Sequence, residues 1–368
     1  MKVLVTGANG FIGKNLVAAL RERTDIEVVP FTRDMSVSGL SDQARSLDFV
    51  FHLAGVNRPP DETEFWRGNV DLTRDLCEVL KGTGKAIPVL YTSSSQAALA
   101  NPYGQSKCAA EEVLHGYRAA CGASVSILRL PNVFGKWCRP DYNSAVATFC
   151  HNIARDLPIR IVDPARVITL VYIDDVVRTF IEVMDRKGDC QETPEVTPRY
   201  TISVGELADL IRGFRESRST LVTDRVGAGL TRALYATYMS SLPPDRFAYE
   251  IPAYKDPRGA FAEVLKTPDC GQFSFFTARP GVTRGGHYHH TKTEKFLVLK
   301  GEARFGFRHI VSNEVHEVST SGDHPVIVET VPGWAHDITN VGTEDLVVML
   351  WANESFDRER PDTISHKV

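Results

Sequence analysis

Two textures of hydrophobic patterning, meeting near Leu242-Pro243-Pro244, constrain this chain more than any other feature. Up to about Pro131, short β-rich runs alternate with helical patterns: Val3-Leu4-Val5, Val28-Val29, Phe49-Val50-Phe51-His52-Leu53, Val89-Leu90-Tyr91 and Val125-Ser126-Ile127-Leu128. That alternation predicts βαβ units around a parallel sheet. After Pro244, runs such as Phe273-Ser274-Phe275-Phe276, Lys295-Phe296-Leu297-Val298-Leu299 and Leu346-Val347-Val348-Met349-Leu350 are separated by Gly, Pro and Asn turns and lack helical periodicity. They predict an antiparallel barrel or jelly roll. Two adjacent prolines stop the preceding helix-like segment, so the expected division is 1–243 as a doubly wound α/β domain and 244–368 as an all-β domain. A chain of 368 residues also exceeds what one hydrophobic core usually serves.

The formal charge of −4 supplies no basic field for nucleic acid or an anionic membrane surface, so neither is an expected partner. Met1-Lys2 leads directly into Val3-Leu4-Val5, too short a run for a signal peptide, and no stretch approaches a membrane span. The expected location is the cytoplasm. Seven cysteines, Cys77, Cys108, Cys121, Cys138, Cys150, Cys190 and Cys270, are odd in number and form no C-x-x-C pair, which predicts reduced thiols.

The strand Val3-Leu4-Val5 runs into Thr6-Gly7-Ala8-Asn9-Gly10-Phe11-Ile12-Gly13, with glycines three apart, and a helix opens there. Glycines permit the tight turn, and an exposed helix N-terminus offers N–H groups to a pyrophosphate. The turn is therefore read as a dinucleotide site, with Phe11 and Ile12 inside it. About twenty residues on, the second strand ends at Phe31-Thr32-Arg33. Arg33 suits a 2′-phosphate and hence NADP(H), whereas the adjacent Asp34 suits a ribose hydroxyl. Asp48 to Leu53-Ala54-Gly55 forms an apolar strand ending in small residues, where a cofactor can approach the sheet. Tyr103-Gly104-Gln105-Ser106-Lys107 follows the cluster Thr92-Ser93-Ser94-Ser95. A tyrosine and a lysine four apart share one helix face, so the ammonium can lower the phenol pKa while a serine hydroxyl positions a substrate oxygen.

These motifs, with Leu130-Pro131-Asn132-Val133-Phe134-Gly135 and Val171-Tyr172-Ile173-Asp174-Asp175-Val176, resemble the extended short-chain dehydrogenase/reductases over roughly the first 240 residues. The resemblance implies a Rossmann-type sheet, Tyr103 as proton donor to a carbonyl, Lys107 on the nicotinamide ribose, Asn132 near the bound ligands, and Asp174 and Asp175 as structural residues. Only eight residues separate Ser94 from Tyr103, fewer than in many relatives, which leaves the catalytic serine as Ser94 or Ser95.

In the second half, Gly286-His287-Tyr288-His289-His290 is followed by Glu294 and Gly301, and Pro332-Gly333-Trp334-Ala335-His336 lies further on. Residues two apart on a strand face the same way, so His287 and His289 can point into a barrel where Glu294 and His336 arrive from neighbouring strands. Three imidazoles and a carboxylate suit zinc, iron, manganese or nickel, and zinc fits proton chemistry without redox. The two motifs resemble those of the cupins over roughly the last 120 residues. Two further stretches, around Asp256-Pro257-Arg258-Gly259 and Thr283-Arg284-Gly285-Gly286-His287, resemble dTDP-4-keto-sugar epimerases. With His287 assigned to metal, His290 and Lys295 are the candidate proton carriers, and Arg258 and Arg284 are candidates for holding a diphosphate.

As a whole the chain resembles bifunctional UDP-sugar epimerase/reductases of capsule-precursor synthesis. That resemblance implies a homodimer that epimerises C3 of a UDP-linked 4-keto-6-deoxy-HexNAc and then reduces C4 with NADPH to a UDP-N-acetyl-L-talosamine-type product. Epimerisation must come first, because reducing the C4 ketone removes the acidity of the neighbouring C–H bonds. Two other readings stay open. One is an NAD-retaining 4-epimerase or dehydratase with a structural cupin; the other makes the cupin a sugar-binding sensor.

Overall fold

The computed structural model describes residues 1–186, 194–251, 253–256, 259–262, 265, 271–354 and 359–368, with backbone alone for 42, 253–256, 259–262 and 272–274. The chain divides into two compact units, Met1–Asn143 with Ile168–Thr201, and Ser144–Val167 with Ile202–Val368.

The first unit is built on five parallel strands, β1 (Lys2–Thr6), β2 (Glu27–Phe31), β3 (Phe49–His52), β4 (Val89–Ser94) and β5 (Val125–Leu130), in the order β2-β1-β3-β4-β5. The expected parallel sheet is therefore present. Its interior strands are apolar on both faces, as sheets covered by helices require: Val3, Leu4, Val5, Val50, Phe51 and Leu90 are all inaccessible. Strand order reverses at β1 and β3, and a crevice at the carboxyl ends of such a pair is where open α/β sheets bind ligands.

The second unit contains two five-stranded antiparallel sheets. One orders the strands Gln272–Ala278, Leu346–Ala352, Glu294–Lys300, Val326–Glu329 and Ala248–Glu250; the other orders Val315–Ser321, Glu302–His309, Trp334–Asn340, Thr283–Tyr288 and Ile364–Ser365. The all-β expectation after Pro244 matches this arrangement. Compactness and sequence texture nevertheless cut the chain differently. The helices Ala145–Ile153, Val204–Thr220 and Gly229–Met239 are grouped with the β-rich region. Ion pairs explain why: Arg218 of the second helix is paired with the buried Glu329, and Arg232 of the third, half-buried, lies 3.3 Å from Glu354. Leu221, just past the second helix, packs with Ile251, Leu297 and Ile327.

No helix among the described residues is long and apolar enough to cross a membrane. Cys77, Cys108, Cys121, Cys138 and Cys150 are free thiols, and Cys190 and Cys270 lie outside the described residues.

Candidate active sites

The glycine turn shows why each glycine is required. Gly7 adopts φ +67°, and a Cβ there would sit 2.9 Å from the Ala54 backbone; a Cβ on Gly13 would sit 2.2 Å from the Gly7 carbonyl oxygen. The helix α1 (Phe11–Arg21) thus packs directly on the turn. Its N-cap is Gly10, with no side-chain cap, so the first N–H groups, those around Phe11 and Ile12, remain available to an anion. A cradle that any side chain would fill, beneath an uncapped helix N-terminus, fits a dinucleotide pyrophosphate.

Across the crevice, Leu53 and Ala54 donate their backbone N–H groups to Thr6 Oγ1, each at 3.1 Å. Thr6 also contacts His52 Nδ1 at 2.8 Å, and His52 Nε2 contacts Thr73 Oγ1 at 2.8 Å. Because Thr73 donates its single hydroxyl proton to the Asn69 carbonyl, His52 must donate through Nε2 and accept at Nδ1. The imidazole is therefore neutral, in keeping with a pKa lowered to about 3 by burial and then by the Lys107 charge. Beyond this chain of bonds lies Gly55, where a Cβ would meet Asn69 Oδ1 at 2.8 Å and Lys107 Nζ at 3.1 Å.

Asn101 caps the helix Pro102–Cys121 by accepting from Gly104 N at 2.8 Å, with Pro102 at its first turn. That start places Tyr103 and Lys107 on the face turned toward β4. The Lys107 ammonium is buried and donates to Tyr91 OH at 3.1 Å and to the Thr92 carbonyl at 3.0 Å. Burial lowers its pKa to about 8, although Glu111 opposes the shift. The expected lowering of the Tyr103 phenol by this ammonium is not what the structure shows. Burial raises the phenol, and a hydrogen bond with Ser94 only partly offsets the rise. Ser94 is buried beside Tyr103, whereas Ser95 is exposed.

Arg33, Asp34, Asn132 and Asp48 are the other residues that the sequence offered for bound ligands. Arg33 and Asp34 are both exposed beyond the end of β2. Asn132 donates to the Thr169 carbonyl at 3.0 Å. Asp48, expected to contact cofactor, is a correction: its carboxylate accepts from Lys2 N at 2.7 Å. Lys2 begins β1 and the glycine turn follows its end, so Asp48 lies about 13 Å from the turn at 3.3 Å of rise per residue.

In the second unit, His287, His289, Glu294 and His336 bring four donor atoms within 4.8 Å of one another. His287 and His336 are register partners on adjacent strands, His289 follows two residues later, and Glu294 comes from the other sheet. Glu294 Oε2 lies 3.3 Å from His289 Nε2 and 3.5 Å from His336 Nε2. Among the described residues neither ring nitrogen of the buried His336 has a partner within hydrogen-bond geometry. A buried imidazole nitrogen left unsatisfied is costly, and a divalent cation among these donors would satisfy one of the two. Burial, reinforced by the neighbouring histidines, lowers His287 to about 4, so it is a neutral imidazole at ordinary pH, as a metal ligand would have to be. For Glu294 burial pushes upward, but contacts with His289 and His336 outweigh it and hold the carboxyl well below its usual range.

Lys295 requires the second correction. Successive residues on a strand face opposite ways, so with Glu294 facing the histidines Lys295 points to the far side. It donates to Tyr249 OH at 2.9 Å and is ion-paired with the buried Glu329, so it carries no proton to the metal group. His290 follows His289 in the chain and is half-buried, with its ring 5.5 Å from that of Tyr288 and its backbone N–H bonded to Asp362 Oδ1 at 2.8 Å. Arg284 stacks over Phe276 at 4.9 Å and donates to the Thr277 carbonyl. Arg258 lies outside the described residues. The contacts of Asp362 with His289 and with the backbone of residues 290–292 escaped sequence reasoning; nothing in Pro361-Asp362-Thr363 repeats a metal-ligand spacing.

Residues 3–196 match the model of the NAD dependent epimerase/dehydratase family, and residues 254–364 match the polysaccharide biosynthesis C-terminal domain. Across all 368 residues the chain is 64% identical to the UDP-2-acetamido-2,6-beta-L-arabino-hexul-4-ose reductase of Pseudomonas aeruginosa, covering 99% of it. It is also similar to the crystal structure of the capsular polysaccharide assembling protein CapF of Staphylococcus aureus, with 40% identity, both chains fully covered and a TM-score of 0.69. UDP-glucuronate 4-epimerase 1 of Arabidopsis thaliana matches about half of each chain, 51% of this one and 56% of its own, at 29% identity. Fold and sites together define an oxidoreductase of the nucleotide-sugar class. The chain belongs to the NAD dependent epimerase/dehydratase family, in its CapF-like branch of UDP-sugar epimerase/reductases.

Proposed function

We propose that the chain converts a UDP-linked 4-keto-6-deoxy-HexNAc in two steps, C3 epimerisation at the His287–His336 group followed by C4 reduction at Tyr103. The observation that supports this reading is that one chain carries two chemically different groups, Tyr103 with Ser94 and Lys107, and the four donors His287, His289, Glu294 and His336. The 64% identity to a UDP-hexulose reductase supports the substrate class.

For reduction, NADPH held at Gly7, Gly10 and Gly13 would supply the hydride, with Arg33 as the residue suited to its 2′-phosphate. The protein's own contribution is the proton. Tyr103 is fully protonated at neutral pH because burial raises its phenol, which suits a group that gives its proton to the C4 oxygen. Ser94, bonded to that phenol, orients it toward the carbonyl. Lys107, fixed by Tyr91 and Thr92, is positioned for the nicotinamide ribose.

For epimerisation, His287, His289, Glu294 and His336 would hold a divalent cation, zinc being the choice for proton chemistry, and its Lewis acidity would stabilise charge on the substrate's carbonyl oxygen. A proton leaves C3 and returns to its other face, with His290 the remaining candidate carrier. The active form is proposed to be a homodimer, a point for sedimentation analysis.

The test uses two variants. Tyr103→Phe should abolish reduction while C3–H exchange with solvent continues, and His336→Ala should abolish exchange while NADPH still binds. Loss of C3–H exchange in folded Tyr103→Phe, or exchange retained in folded His336→Ala, refutes the division of labour.

A further inference from the structure

The carboxyl-terminal tail is tied to the proposed metal group at several points. The strand Ile364–Ser365 pairs with the strand that carries His287, joining Ser365 to His287 and Ile364 to Tyr288, and His366 N donates to the Gly286 carbonyl at 2.9 Å. One turn earlier in the chain, the Asp362 carboxylate accepts three consecutive backbone N–H groups: His290 at 2.8 Å, Thr291 at 2.7 Å and Lys292 at 2.7 Å. The Thr291 hydroxyl adds a fourth bond at 3.1 Å. These residues are the loop between the ligands His289 and Glu294. The Asp362 backbone carbonyl, in turn, is hydrogen-bonded by His289 Nδ1.

A carbonyl can only accept, so His289 must carry a proton on Nδ1, which leaves Nε2, 3.3 Å from Glu294 Oε2, as the ring atom able to ligate. The tail reaches Glu294 as well. Lys292 Nζ lies 3.3 Å from Glu294 Oε1 and 3.4 Å from Thr363 Oγ1. Hydrogen bonds of this kind set the tautomer and ring orientation of metal-binding histidines, and losing them typically weakens metal affinity.

We propose that Asp362 is a positioning residue for the metal group: its carboxylate clamps the loop 290–292, and its carbonyl holds His289 in the Nδ1–H tautomer with Nε2 presented for ligation. This rests on the metal reading of the four donors given above. Asp362 touches no substrate, so its effect on epimerisation is exerted entirely through His289 and Glu294.

The experiment uses the full chain and Zn²⁺ in competition with a chromophoric chelator, with wild type, Asp362→Ala, Asp362→Asn and His336→Ala compared. Wild type is expected to bind one Zn²⁺ per chain and His336→Ala none. Both Asp362 variants should bind roughly 10- to 100-fold more weakly, with NADPH binding unchanged. Equal affinity in wild type and the Asp362 variants overturns the clamp and leaves the metal site standing. Absence of Zn²⁺ from wild type overturns both. The tautomer is read on wild type, independently of whether any Asp362 variant folds, by ¹H–¹⁵N imidazole correlation of the Zn²⁺-loaded chain, with the His289 signals identified by their loss in His289→Gln. Nδ1–H with a ligated Nε2 supports the proposal; ligation through Nδ1 overturns it.

Discussion

Replacing Glu329 by Gln probes the interior of the second unit. The Glu329 carboxylate is 1% exposed and is ion-paired on one side with Lys295 and on the other with Arg218. The Arg218 guanidinium also lies 4.5 Å from the Tyr249 ring. Burial alone would push the Glu329 carboxyl up, but the two cations outweigh it and hold it below its ordinary 4.5. Glu329→Gln leaves two buried cations without a counter-charge, and removing one member of such a group costs about 3–5 kcal/mol. For a unit of this size each kcal/mol moves Tm by about 2–4 °C, so the variant should melt roughly 10 °C lower at pH 7. The sign of the pH dependence follows. A carboxyl depressed in the folded state contributes stability that is complete above the unfolded value and lost as pH falls through the folded one. The gap between wild type and variant should therefore narrow below about pH 4.5. Lys295, raised in the fold, keeps its contribution below its unfolded value and loses it only in strong alkali. Differential scanning calorimetry from pH 3 to 8 measures the gap, with Glu250→Gln as control because that carboxylate is 77% exposed. A difference under about 2 °C at pH 7, no larger than the control, would show that the buried pairs do not hold the unit as argued.

Three further outcomes follow from the first unit. Tyr103→Phe should lower the single-turnover rate of NADPH oxidation by roughly 10²- to 10⁴-fold with little change in NADPH affinity. Lys107 should titrate near pH 8 in the ligand-free chain, charged below and neutral above, as read from its ¹³Cε shift; a value of 10 or more would contradict its burial. Gly13→Ala places a methyl 2.2 Å from backbone that cannot yield, so NADPH affinity by fluorescence titration should fall at least 10-fold.

What was readable in the sequence was whatever the chemistry ties to short spacing. Glycines three apart around a helix start, Tyr103 and Lys107 one turn apart, and His287 and His289 two apart on a strand each encode their geometry locally, and the structure brings each set together. Where alternation along a strand was not applied, the reading failed: Glu294 and Lys295 cannot both face the histidines. Asp48 failed because it opens a strand whose far end, Leu53-Ala54-Gly55, is the one that meets the turn. The Asp362 contacts join residues about seventy positions apart through backbone N–H groups, which leave no side-chain pattern to find. The grouping of the helices after Ser144 with the β-rich region depends on buried pairs such as Arg218 with Glu329, 111 positions apart in sequence.

The most direct test of the two-step account is NADPH oxidation on a UDP-4-keto-6-deoxy-HexNAc in deuterated water, with mass and NMR analysis of the product. The account predicts stoichiometric oxidation and one solvent deuteron at C3. Product reduced at C4 without deuterium at C3, or no oxidation of added NADPH with NAD found bound to the purified chain, would contradict it.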